Sequence, residues 1–183
     1  GEQVLLARSQ GLPVVYTFAW YQQFPVSLVA AADMHVKTPA DLRGKTIGLP
    51  GLFGANYIGL QALLFSADLN ASDVNMEAIG FNQVQIFATG QKNVVVGYAA
   101  NDPIILRSMG FDVTELRVAD YAQLTANGIV YNEDTVTQHP ELIRRLGRAL
   151  AHSIEDTIAN PDEAYTISEK YVENLAGLDS KVQ

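Results

Sequence analysis

Between residues 45 and 118, short apolar runs alternate with segments whose apolar positions recur at helical spacing. The runs predict strands at residues 46–49, 74–79, 94–98 and 113–118. The intervening segments predict helices at residues 54–65, 82–88 and 101–109. Since unbroken β-branched runs suit a parallel sheet that is covered on both faces, this pattern indicates a doubly wound α/β lobe.

Two extended stretches flank this lobe, at residues 12–21 with 26–30 before it and at residues 124–131 after it. A chain that enters and leaves a lobe through neighbouring strands is typical of two lobes joined by a hinge. We therefore predict three parts: a partial first lobe with the first hinge strand (1–29), a complete βα lobe (30–120), and the second hinge strand with the C-terminal helices of lobe one (121–183). The two outer parts together are too short for a second complete sheet-and-helix layer, so lobe one is expected to be incomplete.

The C-terminal third predicts two amphipathic helices. Pro140 opens the first, whose apolar residues recur at spacings of three and four. Pro161 opens the second, whose apolar face reaches Leu175. In an incomplete lobe, apolar residues of the first helix would face a core that the chain alone cannot fill; they include Leu146, Leu150 and Ile154. This exposure predicts a homodimer or a domain-swapped assembly.

Composition narrows the class of protein. With 183 residues, 48% apolar and 17% charged, the chain can bury a core. The formal charge of −8 and the lack of any basic run argue against nucleic-acid binding. Its apolar stretches are shorter than the ~20 residues of a membrane-spanning helix. There is no cysteine, which excludes disulfides and thiolate chemistry. The sequence starts at Gly1 without a leader, so no signal sequence is expected in this chain.

A glycine-rich segment, Gly48-Leu-Pro-Gly-Leu-Phe-Gly54, lies between a predicted strand and a predicted helix. Amides at a helix start can receive an anion or a polar ligand edge. The spacing matches neither the dinucleotide-binding nor the triphosphate-binding glycine motif, so a nucleotide site is not supported. A tight turn without a ligand is the alternative.

Aromatic and amide residues gather where predicted strands end. Because the carboxyl ends of strands line the ligand crevice in open α/β sheets, these residues are candidates for ligand binding. The candidates are Trp20, Tyr21, Gly51, Phe53, Gly54, Tyr57, Asn82, Gln83, Tyr98, Asn101 and Asp102. Flat rings favour a flat ligand, which Trp20, Tyr57 and Tyr98 would stack against. Ordinary packing is the alternative for Phe53 and for any single tyrosine, and a helix N-cap is the alternative for Asn101.

No catalytic constellation is evident. The serine-hydrolase and zinc-protease motifs are missing, and the three histidines stand far apart. His152 and Glu155 share a helix face, but such a pair is usually solvated. We therefore expect a protein that is not an enzyme and that has no metal and no cofactor.

Several segments in order resemble the periplasmic solute-binding proteins of the nitrate, sulfonate and thiamine-pyrimidine-precursor group. They are residues 5–15, 39–48, 89–90 and 98–103. Residues 19–25 and 48–57 resemble most the pyrimidine-precursor and riboflavin-binding branch. The chain departs from the group at Asn93 and at Asn101-Asp102-Pro103, and it lacks the N-terminal part of lobe one. A eukaryotic branch with a similar fold makes the pyrimidine and needs a cysteine-rich motif, which this chain does not have.

The resemblance implies a type II periplasmic-binding-protein fold: one complete doubly wound lobe and an incomplete second lobe, joined by a two-strand hinge. It also implies the solute-binding component of an ABC importer, which captures a small flat heteroaromatic ligand between lobes and presents it to a membrane permease. The expected location is the periplasm or another extracytoplasmic site, a membrane-anchored lipoprotein included. One alternative is a binder of a small anion such as a sulfonate or nitrate. Another is a ligand-sensing or dimeric scaffold domain without a transport role.

Overall fold

The computed structural model describes residues 1–172. The chain divides into two compact units. Unit 1 comprises Gly1–Gln3 and Ala19–Gly128, and unit 2 comprises Val4–Phe18 and the described residues from Ile129 onwards. Leu175, where the second C-terminal helix was expected to reach, lies outside the described residues. The lobe boundaries at residues 30 and 120 stay a prediction, and unit 1 extends past both of them.

Strands and helices alternate along most of the described chain. The strands are β1 (Val14–Ala19), β2 (Val26–Ala31), β3 (Thr46–Leu49), β4 (Asn75–Ala78), β5 (Val94–Tyr98), β6 (Val113–Arg117) and β7 (Gly128–Asn132). The helices are α1 (Glu2–Ser9), α2 (Gly54–Ser66), α3 (Gln83–Ala88), α4 (Asp102–Ser108), α5 (Glu133–Gln138), α6 (Pro140–Ala159) and α7 (Pro161–Ser168). The strands and helices predicted between residues 45 and 118 are confirmed, with ends that coincide or differ by one residue.

Unit 1 is built on a five-stranded sheet in the order β4-β3-β5-β2-β6. Strand β3 runs parallel to β4 and β5, whereas β2 runs antiparallel to both β5 and β6. Four strands therefore share one direction, and β2 opposes them. The interpretation of residues 26–30 as a flanking stretch is wrong, because this segment forms an inner strand of the sheet. Its unbroken apolar run is the signature of such a strand, since both of its faces are covered.

Helices cover both faces of this sheet, as the doubly wound prediction requires. Along β2, Leu28 and Ala30 point to a core that includes Leu60 and Leu63 of α2. Val29, between them, points to a second core with Phe87 of α3 and Leu106 of α4. The alternation follows from the two-residue period of a strand.

A short helical turn, Pro39–Leu42, precedes β3 and begins with a capping box between Thr38 and Asp41. The Asp41 carboxylate accepts the amides of Lys37 at 3.0 Å and Thr38 at 2.8 Å. These backbone hydrogen bonds favour the ionised form, so the pKa of Asp41 lies below its ordinary value.

Unit 2 contains most of α1, β1 and β7, together with the whole of α5 to α7. Strands β1 and β7 pair as a two-stranded sheet. The Pro13 carbonyl accepts from Glu133 N at 2.8 Å, and the Asn127 carbonyl, at the other end of β7, accepts from Trp20 N at 2.9 Å, so the strands run antiparallel. No residue of unit 2 up to Val172 is buried. Among the described residues, no helix combines the length and the apolar character needed to cross a bilayer.

Candidate functional site

A cavity of about 590 Å³ opens in unit 1 at the loops that follow β4 and β5. These strands share one direction, so their carboxyl ends meet at the same edge of the sheet. The chain turns there from β4 into α3 and from β5 into α4. The lining residues are Phe81, Asn82, Gln83, Val84, Gln85, Ala88, Thr89, Tyr98, Asn101, Asp102 and Met109. Its volume lies in the range of small-molecule sites.

Asp102 ties the turn between β5 and α4. Its side chain is only 5% exposed, and Oδ2 accepts the Tyr98 amide at 2.8 Å. Burial raises the pKa of Asp102, and hydrogen bonds from the Tyr98 amide and the Asn101 side chain oppose that rise. The carboxyl lies over Gly97, where a Cβ would stand 2.2 Å from Oδ2. This turn thus requires a glycine at position 97, a role that was not predicted from the sequence.

Three amide side chains lie in the two turns. Gln83 is buried, and its Nε2 donates to the Val96 carbonyl at 3.4 Å, which anchors α3 to the sheet. Asn82 and Asn101 are exposed at the starts of α3 and α4. Asn101 occupies the N-cap position of α4, but its side chain makes no capping hydrogen bond. The amides of Asn82 and Asn101 are therefore accessible to a ligand at the cavity.

Tyr98 links the cavity to the segments that enter and leave unit 1. Its hydroxyl accepts from Asn127 Nδ2 at 3.1 Å. The Asn127 carbonyl accepts from the amides of Trp20 and Tyr21, at 2.9 and 3.2 Å. Neither Trp20 nor Tyr21 lines the cavity, and Tyr21 borders a separate hollow of about 330 Å³ with Pro25.

The glycine-rich turn also lies apart from the cavity lining. A Cβ at Gly51 would stand 2.4 Å from the Phe53 ring, which therefore rests on this glycine. Gly54 has a φ of 73°, a left-handed conformation that suits glycine. Phe53 precedes α2 without a side-chain cap, and Tyr57 packs against the main core. The core packing of Tyr57 matches the alternative raised for single tyrosines.

The structure thus brings five of the eleven predicted residues to one cavity. They are Asn82, Gln83, Tyr98, Asn101 and Asp102. Sequence reasoning missed Phe81, whose ring is 82% exposed at the cavity. Phe81 lies in the same turn as Asn82, so the rule that selected aromatic residues at strand ends could have found it. The same rule could not have found Met109, because this residue follows the C-terminal end of α4 and not the end of a strand.

The charges near the cavity are acidic or neutral. No lysine or arginine is among its lining residues. Arg43 pairs with Asp73, and Lys45 Nζ donates to the Met34 carbonyl at 3.3 Å. Both residues precede β3 and therefore belong to the opposite edge of the sheet. Because no basic side chain lines the cavity, it is poorly suited to binding an anion.

The helix-face pair in unit 2 shows no sign of a metal centre. His152 Nδ1 lies 3.5 Å from Glu155 Oε2, and both side chains are largely exposed. Within residues 1–172, no group of three histidine, aspartate or glutamate side chains could hold a metal ion.

Comparison with curated proteins finds three informative relatives. The chain is 41% identical over 172 residues to riboflavin-binding protein RibY of Chloroflexus aurantiacus, covering 94% of this chain and 49% of that protein. It is 29% identical over 167 residues to a formylaminopyrimidine-binding protein of Halalkalibacterium halodurans, covering 90% and 50%. It is 24% identical over 166 residues to a 4-amino-5-hydroxymethyl-2-methylpyrimidine phosphate synthase of Legionella pneumophila, covering 88% and 52%. The chain spans about half the length of these relatives.

Among solved structures, the periplasmic aliphatic sulphonate binding protein SsuA of Escherichia coli matches 98% of this chain with a TM-score of 0.80. The match covers 60% of that protein at 16% identity, so it shows the fold alone. The fold is that of the periplasmic solute-binding proteins, as predicted. Residues 1–164 match the family described as NMT1/THI5 like. The predicted resemblance is confirmed, and the chain belongs to the NMT1/THI5-like family.

Proposed function

We propose that this chain is the solute-binding component of an ABC importer and that it binds a small flat heteroaromatic solute at the unit 1 cavity. The observation that carries the proposal is the character of that cavity. An exposed phenyl ring and two accessible amide side chains meet there, and no basic side chain lines it. Such a combination suits a neutral ring with polar edges better than an anion.

The chemistry of recognition follows from these side chains. Phe81 offers a flat apolar face for stacking, which contributes about 0.5–1.5 kcal/mol beyond area burial. Asn82 and Asn101 each carry a donor and an acceptor, which suit the ring nitrogens, amino groups and carbonyls of a heteroaromatic solute. Asp102 and Gln83 act indirectly, since their hydrogen bonds to the backbone at Tyr98 and Val96 fix the turns that present the amides.

The relatives support the class of ligand. Two of them carry riboflavin or formylaminopyrimidine in their names, and both of those solutes are heteroaromatic. A third is named as a synthase. The eukaryotic branch that makes the pyrimidine needs a cysteine-rich motif, and this chain has no cysteine. We therefore propose binding without catalysis. The proposal includes a periplasmic or other extracytoplasmic location and a membrane permease as partner. It also keeps the expected mechanism, in which the ligand shifts the population from open to closed lobes.

One observation favours an anion as the second candidate. Helix α2 starts at the glycine-rich turn without a side-chain cap, so its first amides remain available to a negatively charged group. The sulfonate-binding structural neighbour is consistent with this alternative through its fold. The two candidates therefore place the ligand at different turns of unit 1.

Calorimetry on the full chain distinguishes them. Riboflavin, a formylaminopyrimidine and an alkanesulfonate are titrated separately into the same preparation. Saturable binding of either heteroaromatic solute, with no heat from the sulfonate, is the expected result. Tight sulfonate binding without a response to either heteroaromatic would overturn the proposal.

A pair of matched variants locates the site. Phe81→Ala should weaken heteroaromatic binding by about 2- to 13-fold, the equivalent of about 0.5–1.5 kcal/mol of stacking. Phe65→Ala is the control, because Phe65 is also in unit 1 and is 84% exposed but does not line the cavity. Trp20→Ala tests the earlier expectation that the indole stacks on the ligand. If Phe81→Ala bound the ligand with unchanged affinity, Phe81 would not be part of the binding site.

A further inference from the structure

The hollow that Tyr21 borders opens at the same edge of the sheet as the ligand cavity. Its volume is about 330 Å³, and we call it the small hollow. Strands β5 and β6 both run antiparallel to β2, so their carboxyl ends lie together at this edge. The small hollow is lined there by Ala99, Ala100 and Arg117, and by Tyr21, Gln22 and Gln23 from the segment that precedes β2.

The small hollow and the cavity meet at the turn between β5 and α4. Ala100 lines the small hollow, and the next residue, Asn101, lines the cavity. The Cα atoms of consecutive residues are about 3.8 Å apart. Strand β6, which ends at Arg117, is two strands away from β5, a distance of about 10 Å. A solute whose ring occupies the cavity therefore needs only a substituent of moderate length to reach the small hollow.

Arg117 gives the small hollow a positive charge that the cavity lacks. Its Nε lies 3.4 Å from Glu115 Oε1, and Arg107 Nη2 lies 3.2 Å from Glu115 Oε2. Two guanidinium groups thus share one carboxylate, and this group of three side chains keeps one net positive charge. Of the two arginines, Arg117 lines the small hollow and Arg107 does not.

The terminal nitrogens of Arg117 are suited to an anion. The side chain is 60% exposed, and within the described part of the chain its guanidinium is engaged only through Nε, by Glu115. The two Nη groups therefore remain as donors, in a fork that matches the oxygens of a phosphate or a carboxylate. Gln22 and Gln23 are exposed and add amide donors. Among the described residues that line the small hollow, none is acidic.

We propose that the small hollow is a subsite for a negatively charged tail of the solute and that Arg117 recognises this tail. The inference rests on the proposed function, which places the heteroaromatic ring in the cavity. It narrows the class of solute to a ring that carries a phosphate ester or a carboxylate on a flexible substituent. The uncharged lining around Phe81 takes the ring, and the basic small hollow takes the tail.

Two flavins that differ only in the tail test the subsite. Riboflavin ends in a hydroxyl group and riboflavin 5′-phosphate ends in a phosphate, so the ratio of their dissociation constants isolates the contribution of the charge. Calorimetry on the full chain measures both. The phosphate ester should bind about tenfold more tightly at low salt, because it gains charge-assisted hydrogen bonds from Arg117. This preference should shrink as salt is added, since the site is partly exposed and salt screens it.

Arginine variants assign the preference to one side chain. Arg117→Ala should raise the dissociation constant of the phosphate ester about tenfold and change that of riboflavin by less than about twofold. Arg107→Ala is the matched control, because it removes a charge from the same Glu115 carboxylate but not from the lining of the small hollow. It should keep most of the preference. Arg117→Lys should keep part of it, since lysine retains the charge without the fork.

The outcomes separate this inference from the proposed function. A preference for the phosphate ester that is lost in Arg117→Ala and kept in Arg107→Ala supports the subsite. Equal binding of the two flavins, or a preference that Arg117→Ala leaves intact, overturns the subsite while the proposed function stands. Binding of a formylaminopyrimidine without binding of either flavin has the same consequence. If no heteroaromatic solute binds, the proposed function and the subsite are both overturned.

Discussion

Unit 1 and unit 2 hold themselves together by different means. In unit 1, large side chains such as Leu28, Leu63 and Val96 have no exposed surface, and they fill cores on both faces of the sheet. In unit 2, no residue up to Val172 is buried. Its segments are joined by exposed polar contacts. Arg8 Nη1 donates to the Val14 carbonyl at 2.7 Å and to Glu133 Oε1 at 2.6 Å.

The difference shows that an amphipathic pattern specifies an element but not its stability. Helix α6 has a clearer apolar face than α2, yet the buried face belongs to α2. Most of the stability of a helix in a protein comes from tertiary packing of such a face. Exposed ion pairs contribute little in comparison. We therefore expect unit 1 to contribute most of the free energy of unfolding, and unit 2 to contribute little.

The largest expected difference between the units is in the response to truncation of a leucine side chain. Leu63→Ala in α2 should lower the free energy of unfolding by about 2–5 kcal/mol, because it leaves a cavity in the main core. Leu5→Ala in the exposed α1 should change it by less than about 0.5 kcal/mol. Urea unfolding measures both, and the single tryptophan, Trp20, reports on unit 1. Equal losses from the two variants would contradict the contrast between the units.

Glycine replacement should have opposite signs in the two units. Gly97→Ala should cost about 1–3 kcal/mol, because the new methyl would overlap the Asp102 carboxyl. Gly147→Ala lies inside α6 with nothing within 4 Å, and it should gain about 1 kcal/mol in helix propensity. Thermal unfolding and far-ultraviolet circular dichroism give both results. If Gly97→Ala left the stability unchanged, the turn between β5 and α4 would have to rearrange at little cost to accept the methyl group.

The smallest expected effect concerns pH. Burial raises the pKa of Asp102 in the folded state above the unfolded value of about 3.9. The contribution of Asp102 to stability is therefore fully present below the unfolded pKa, and it is lost as pH rises through the folded pKa. Asp102→Asn keeps an acceptor for the Tyr98 amide but cannot ionise. The melting temperature of this variant relative to the parent should therefore increase between pH 4 and pH 7. A constant difference across that range would show that Asp102 ionises without cost.

Asp41 is the internal control for this measurement. It is exposed, and backbone hydrogen bonds lower its pKa. It contributes stability above its unfolded pKa that is lost as pH falls, opposite in sign to Asp102. In Asp41→Asn the melting temperature relative to the parent should fall as pH rises.

Part of the candidate site was predictable because it depends on strand direction. Asn82 and Asn101 follow strands of the same sheet, and parallel strands bring their carboxyl ends to one edge. Gly97 and Met109 were not predictable in this way. Gly97 is needed because the Asp102 side chain folds back over the sheet, and Met109 reaches the cavity from the end of α4. Both roles depend on contacts between segments, which residue patterns along the chain do not encode.

The sequence by itself determined the elements of unit 1, the layers on both faces of its sheet and the family. These follow from local periodicity, from β-branched runs and from short motifs in order. Only the tertiary structure decided that residues 26–31 form an inner antiparallel strand, that six predicted ligand residues do not line the cavity, and that no residue of α6 is buried. The physical reason is that strand order, side-chain convergence and burial depend on which surfaces meet, and an apolar position has the same pattern in sequence whether or not another surface covers it.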